Sequence, residues 1–204
     1  MGVRETAEVG RQVCQALAKG HSKGITHRDL KPENLLITEL TPKGDAPTVR
    51  VADFGIAKVT GSIGTGITRA GVFVGTPQYA APEQFLGQPT SPKADVYSLG
   101  AMMIFMMTAR PLVPKAHKMD SEDVYTALLD ALPPSILRPS DSAEDCEAMN
   151  RILDAAMALE PDARCSVQTM ERMLTELIEG SDAMKEVEPA ANVQEPIVVD
   201  PLPA

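Results

Sequence analysis

The stretch His27-Arg28-Asp29-Leu30-Lys31-Pro32-Glu33-Asn34 runs directly into Leu35-Leu36-Ile37. A polar, proline-containing run therefore opens a three-residue apolar strand. Upstream, the segment from Arg4 to Lys19 places Val9, Val13 and Leu17 at helical spacing, with Ala16 and Ala18 beside them. Gly20 follows as a C-terminal stop signal, and Lys19 lies in the last turn. Downstream, Thr41 to Pro47 is rich in turn formers and leads to Val49-Arg50-Val51. The two short strands predict a β-hairpin with a long loop. Directly after the hairpin stands Asp53-Phe54-Gly55.

Further along, Thr60 to Arg69 is mostly Gly, Ser and Thr and reads as a mobile loop. Gly75-Thr76-Pro77-Gln78-Tyr79-Ala80-Ala81-Pro82-Glu83 follows it. Ser91-Pro92 then supplies an N-cap and a first-turn proline for a helix through Thr108. That helix carries Val96, Leu99, Met102, Met103, Phe105, Met106 and Met107, so it is apolar nearly all round and belongs in the interior. Three more helices are expected: Ser121 to Leu132, Ser142 to Leu159 and Ser166 to Glu179, the last stopping before Gly180. Residues 181–204 are acidic, contain four prolines and lack periodicity, the composition of a disordered tail.

The 204 residues suit one domain with a tail. A hydrophobic content of 44% against 23% charged residues fits a globular core and argues against disorder throughout. The net charge of −9 makes a nucleic-acid backbone a poor partner. Cys14, Cys146 and Cys165 are far apart with no CxxC pair, which suggests reduced thiols rather than a disulfide framework or a zinc site. The apolar run from Leu99 to Met107 is too short to span a bilayer, and no secretory leader is seen after Met1. A cytoplasmic location is expected. His21 and His117 read as ordinary surface residues.

Taken singly, each polar motif reads as a turn or a solvated charge. Taken in order, His27 to Asn34, Asp53-Phe54-Gly55, Gly75 to Glu83 and Asp95-Val96-Tyr97-Ser98-Leu99-Gly100 resemble the signature set of a eukaryotic-type protein Ser/Thr kinase, in a bacterial-like wording. The resemblance implies a protein-kinase-like C-lobe over residues 3–179, mainly α with a short β-hairpin near the catalytic loop. Residues 181–204 would be a separate acidic tail.

The same resemblance assigns roles. Asp29 would accept the proton of a substrate hydroxyl, and Lys31 would reach the transferring phosphate of ATP. Asn34 and Asp53 would hold Mg²⁺ through oxygen, and Leu36 would lie under adenine. Thr76 would approach Asp29 and Lys31 at the acceptor site. His27, Phe54 and Gly55 would be structural. Glu83 would pair with Arg164, in whose motif Cys165 replaces a common proline. Asp95 would fix the catalytic-loop backbone. Arg28 would meet a phosphate on the following loop, where Thr60, Ser62, Thr65 and Thr68 are the candidate sites.

A complete member of this family also has an N-terminal β-lobe with a Gly-rich loop, a lysine and a partnering glutamate. No such motif occurs before His27. The expectation is thus a kinase C-lobe with the N-terminal β-lobe missing and little activity alone. Its partners would be a protein substrate and possibly a separate N-lobe or another kinase. A non-catalytic C-lobe acting as a binding or regulatory module is the alternative.

Overall fold

The structure is a computed structural model that describes residues 1–38, 48–54, 76–131, 136–137, 140–180 and 197–198. Helix α1 (Val3–His21) buries Val3, Ala7, Val9, Val13 and Leu17. This stripe packs along α6 (Val167–Glu179), which buries Val167, Met170, Met173, Leu174 and Leu177. Between the outer helices lies α3 (Pro92–Thr108), where every residue from Ala94 to Ile104 is buried. Two glycines permit the close approaches. A β-carbon on Gly100 would lie 2.6 Å from Met157 Cγ, and one on Gly10 would lie 3.1 Å from Met103 Sδ. A methionine-rich core tolerates such contacts because its side chains are unbranched and adaptable.

Strands β1 (Leu35–Ile37) and β2 (Val49–Val51) pair antiparallel, with Leu35 opposite Val51 and Ile37 opposite Val49. The side-chain alternation turns Leu35 and Val51 toward the core, whereas Leu36 is 58% exposed. The remaining elements are α2 (Pro82–Phe85), α4 (Ser121–Asp130), β3 (Ile136–Leu137), α5 (Ala143–Ala156) and β4 (Ile197–Val198). Helices α3 to α6 begin at caps legible in the chain. Ser91 Oγ accepts from the Lys93 N–H, Asp120 Oδ1 from Asp123, Ser142 Oγ from Asp145 and Ser166 Oγ from Thr169. Gly180 ends α6 with φ +70°.

Several boundaries differ from the expectation. Helix α1 continues past Gly20 to His21, and the left-handed turn falls at Gly24, with φ +73°. Helix α4 ends at Asp130 and α5 at Ala156, short of Leu132 and Leu159. At α5 the reason is a side chain from beyond the helix: the Ala158 and Leu159 carbonyls accept hydrogen bonds from Arg164 at 2.7 and 2.8 Å, so they leave the helical ladder. Helix α2 and the parallel pairing of Ile136–Leu137 with Ile197–Val198 carry no periodic signal and were not anticipated. The tail expected over 181–204 is described only at residues 197–198. The loop from Thr60 to Arg69, with Thr60, Ser62, Thr65 and Thr68, lies outside the described residues, as do Gly55 and Gly75.

Candidate active site

Asp95 organises the site from the first turn of α3. It is fully buried, and a buried carboxylate requires donors. Three are supplied: Oδ2 accepts from the His27 N–H at 2.8 Å and His21 Nε2 at 2.7 Å, and Oδ1 accepts from the Arg28 N–H at 2.8 Å. The helix N-terminus adds favourable potential. The His21 side chain is only 8% exposed, so the reading of it as a surface residue is corrected. Val13, Leu17 and His21 recur at four-residue spacing, and that stripe was the signal that places His21 inward. His117 is exposed.

The clamp on Arg28 has a purpose. Its φ is +65°, and Asp53 has φ +53°, both in the left-handed region that non-glycine residues occupy at a cost of about 1–3 kcal/mol. Such conformations persist only where surrounding bonds overdetermine them. His27 provides some of these bonds. Its Nε2 lies 3.0 Å from the Ala52 carbonyl, and Nδ1 accepts from the Asp29 N–H at 3.4 Å. A carbonyl only accepts, so the tautomer that satisfies both contacts carries its hydrogen on Nε2. The His27 and Phe54 rings pack with centroids 5.0 Å apart.

Ala52 joins the two halves of the site. Its N–H donates to the Asn34 carbonyl at 2.8 Å while its own carbonyl meets His27. Asp53, the next residue, is exposed and so is brought back beside the 27–34 loop. Asn34 is buried, and its Nδ2 donates to the Asp29 carbonyl at 2.8 Å. Among the described residues no group donates to Asn34 Oδ1. Lys31 Nζ stands 3.2 Å from Asp29 Oδ2, with both side chains a quarter exposed. Asp29, Lys31 and Asn34 thus contact one another, and the Ala52–Asn34 bond sets the residue before Asp53 against them.

Thr76, Tyr79, Ala80 and Ser98 line a narrow cleft against Arg28, Asp29 and Leu30. Behind it, Arg164 Nη1 and Nη2 donate to the Glu83 carboxylate at 2.9 and 2.8 Å. Arg164 also donates to the carbonyls of Lys93, Ala158 and Leu159, so this buried pair is fully hydrogen-bonded. Lys93 Nζ in turn donates to the Arg164 carbonyl. The Arg164 guanidinium lies over the Tyr97 ring, 4.9 Å from its centroid, and burial pushes the Tyr97 hydroxyl well above its ordinary range. Burial likewise pushes the Cys165 thiol up to about 11, so it is not a nucleophile at neutral pH.

The donor set suits a small hard cation. Asp53 offers a carboxylate and Asn34 an amide oxygen, and Mg²⁺ takes one or two such ligands together with phosphate oxygens. Among the described residues no cluster of three or more His, Cys, Asp or Glu side chains could hold a metal by itself. Gln84, Lys93 and the Ala52 backbone were missed in the sequence. A glutamine and a lysine read as surface residues, and a peptide group carries no residue-type signal.

Comparison with known proteins bears on this geometry. A family model described as the protein kinase domain matches residues 1–175. The serine/threonine-protein kinase Pkn1 of Myxococcus xanthus is 40% identical over 153 residues, which cover 75% of this chain and 21% of the relative. The serine/threonine-protein kinase PknB of Mycolicibacterium smegmatis is 35% identical over 176 residues, covering 86% and 26%. The serine/threonine-protein kinase PkaA of Streptomyces coelicolor is 33% identical over 196 residues, covering 95% and 34%. The chain therefore spans about a fifth to a third of the length of these relatives.

Proposed function

The chain belongs to the protein kinase domain family, on its Ser/Thr side, and from that premise we propose that its site transfers the ATP γ-phosphate to Ser/Thr hydroxyls of a protein. The observation that carries this reading is the mutual contact of Asp29, Lys31 and Asn34, tied through the Ala52 peptide to the residue before Asp53.

Phosphoryl transfer asks for alignment and charge neutralisation more than covalent help. Asp29 accepts the proton of the acceptor hydroxyl, and Thr76 lines the narrow cleft next to that carboxylate. Lys31 holds a phosphate oxygen; its 3.2 Å contact to Asp29 keeps it close to that position. Asn34 and Asp53 would hold Mg²⁺, which when bound would neutralise phosphate charge. Among the described residues Arg28 Nε is buried without a hydrogen-bond partner, which supports a role as receptor for a phosphate on Thr60, Ser62, Thr65 or Thr68.

Residues 3–179 act as the C-lobe in this reading. Leu36, 58% exposed on β1, offers apolar surface suited to adenine and a covering N-lobe, and Ile37 on the other face of the strand is 49% exposed. Turnover then needs that lobe in addition to these 204 residues. The same exposed apolar surface favours a second reading, a non-catalytic module that docks another kinase.

The test mixes the chain with the N-lobe of a Ser/Thr kinase relative and follows phosphate transfer to a generic protein substrate with Mg²⁺-ATP. Asp29→Asn is expected to lower kcat by about 10²–10⁴-fold, the scale of a positioned general base. Unchanged turnover in that variant removes Asp29 from the role. Transfer at about 1–100 s⁻¹ by the chain alone overturns the requirement for a second lobe.

A further inference from the structure

Arg28 is held in the left-handed region from two sides, and only one of them belongs to Asp95. Its N–H donates to Asp95 Oδ1 at 2.8 Å, while its carbonyl accepts from Gln84 Nε2 at 3.1 Å. Gln84 is buried, 3% exposed, in the short helix α2. Its Oε1 accepts from the Ala81 N–H at 2.9 Å. The orientation of the amide is unambiguous, because a backbone N–H can only donate and a carbonyl can only accept. One side chain therefore caps α2 with its oxygen and grips the Arg28–Asp29 peptide with its nitrogen.

The cap alone does not require glutamine. At the third position of a helix a glutamate accepts from the N-cap region equally well, and the helix dipole favours its charge. The Nε2 group is needed only for Arg28. We infer that Gln84 is a positioning residue for Asp29: it locks the strained peptide before Asp29 to the wall of the acceptor cleft, so that Thr76, Tyr79 and Ala80 keep a set position relative to the carboxylate. The role in transfer rests on the kinase reading above; the clamp itself does not.

Gln84→Glu separates the two functions, since it keeps the acceptor for Ala81 and replaces the donor with a carboxylate oxygen. Hydrogen exchange followed by mass spectrometry on the full 204-residue chain at pH 7 is expected to show residues 27–31 exchanging at least about tenfold faster, with residues 81–86 unchanged. Adding Arg28→Gly removes most of that effect, because glycine adopts a positive φ without support. Should the Glu variant fail to fold, the neutral Gln84→Met, alone and with Arg28→Gly, provides the same comparison through the rescue of residues 27–31. Unchanged exchange at 27–31, or an equal loss in the Arg28→Gly background, overturns the clamp. In the lobe-complemented assay, Gln84→Glu is expected to lower kcat by about 10–100-fold with KM for ATP unchanged. Full kcat in Gln84→Glu, where the wild type transfers phosphate, overturns the positioning role. A wild type that transfers nothing, with the exchange result intact, overturns the kinase reading and leaves the clamp standing.

Discussion

A β-carbon at residue 20 would lie 2.7 Å from Cε1 of Phe54 and 3.3 Å from the Ile25 carbonyl oxygen. Gly20 is helical, so its value is space rather than an unusual φ. The Phe54 ring fills that space and packs on His27 from the other side. Gly20→Ala gains about 1 kcal/mol of helix propensity but overpacks the ring by about 1–3 kcal/mol. A net loss of stability in urea is expected, together with weaker Mg²⁺-nucleotide binding by calorimetry, because Asp53 adjoins the displaced ring. Phe54→Leu in the same chain restores stability. A more stable Gly20→Ala variant would show that Phe54 does not rest on this site. The sequence marks Gly20 as a helix stop because glycine serves both purposes, and only the neighbour across space tells them apart.

Ion pairs and amides join one element to the next. Gln12 of α1 accepts the Val49 N–H of β2 at 2.8 Å, and its own Nε2 is held by Glu8 at 2.7 Å. Arg4 of α1 forks onto Asp145 of α5 with bonds of 2.8 and 2.9 Å. These donors hold both carboxyls below their ordinary values: Arg11 does so chiefly for Glu8, and Arg4 chiefly for Asp145. A lowered native value means stability that is full above the unfolded-chain values, 4.5 for Glu and 3.8 for Asp, and lost as pH falls through the native ones. Arg4 is half exposed, so water screens its pair, which contributes no more than about 1 kcal/mol. Urea midpoints are expected to hold from pH 7 to 5 and then decline on further acidification, with Asp145→Asn reducing that decline. An identical acid profile in Asp145→Asn would exclude the pair from the acid response. At this scale the sequence was informative where pattern is local. The caps at Ser91, Asp120, Ser142 and Ser166 and the strands at 35–37 and 49–51 depend on near neighbours. The early end of α5 at Ala156 depends instead on Arg164 reaching back to the Ala158 and Leu159 carbonyls.

Across the whole molecule, Glu83 and Arg164 stand 81 residues apart and hold the cleft wall against α3 and the end of α5. Their side chains are 2% and 0% exposed. Arg164→Leu leaves a buried carboxylate without its partner and is expected to cost about 3–5 kcal/mol, a fall in Tm of about 10 °C. A loss within about 0.5 kcal/mol would mean that water reaches Glu83 and the pair is not structural. No described helix is long and apolar enough to cross a membrane, and α1, α3, α5 and α6 pack around one methionine-rich core. By itself the sequence determined the order of the longer helices and of the β1–β2 hairpin, the burial of α3 and the chemical types gathered at 27–34, 53 and 83, because side-chain identity and short-range periodicity carry that information. Only the tertiary structure decided that His21 faces Asp95, that the Ala52 peptide joins Asn34 to His27, and that Gln84 grips the Arg28 carbonyl. Those contacts link residues up to 74 positions apart, and three of them end on backbone groups that every residue shares.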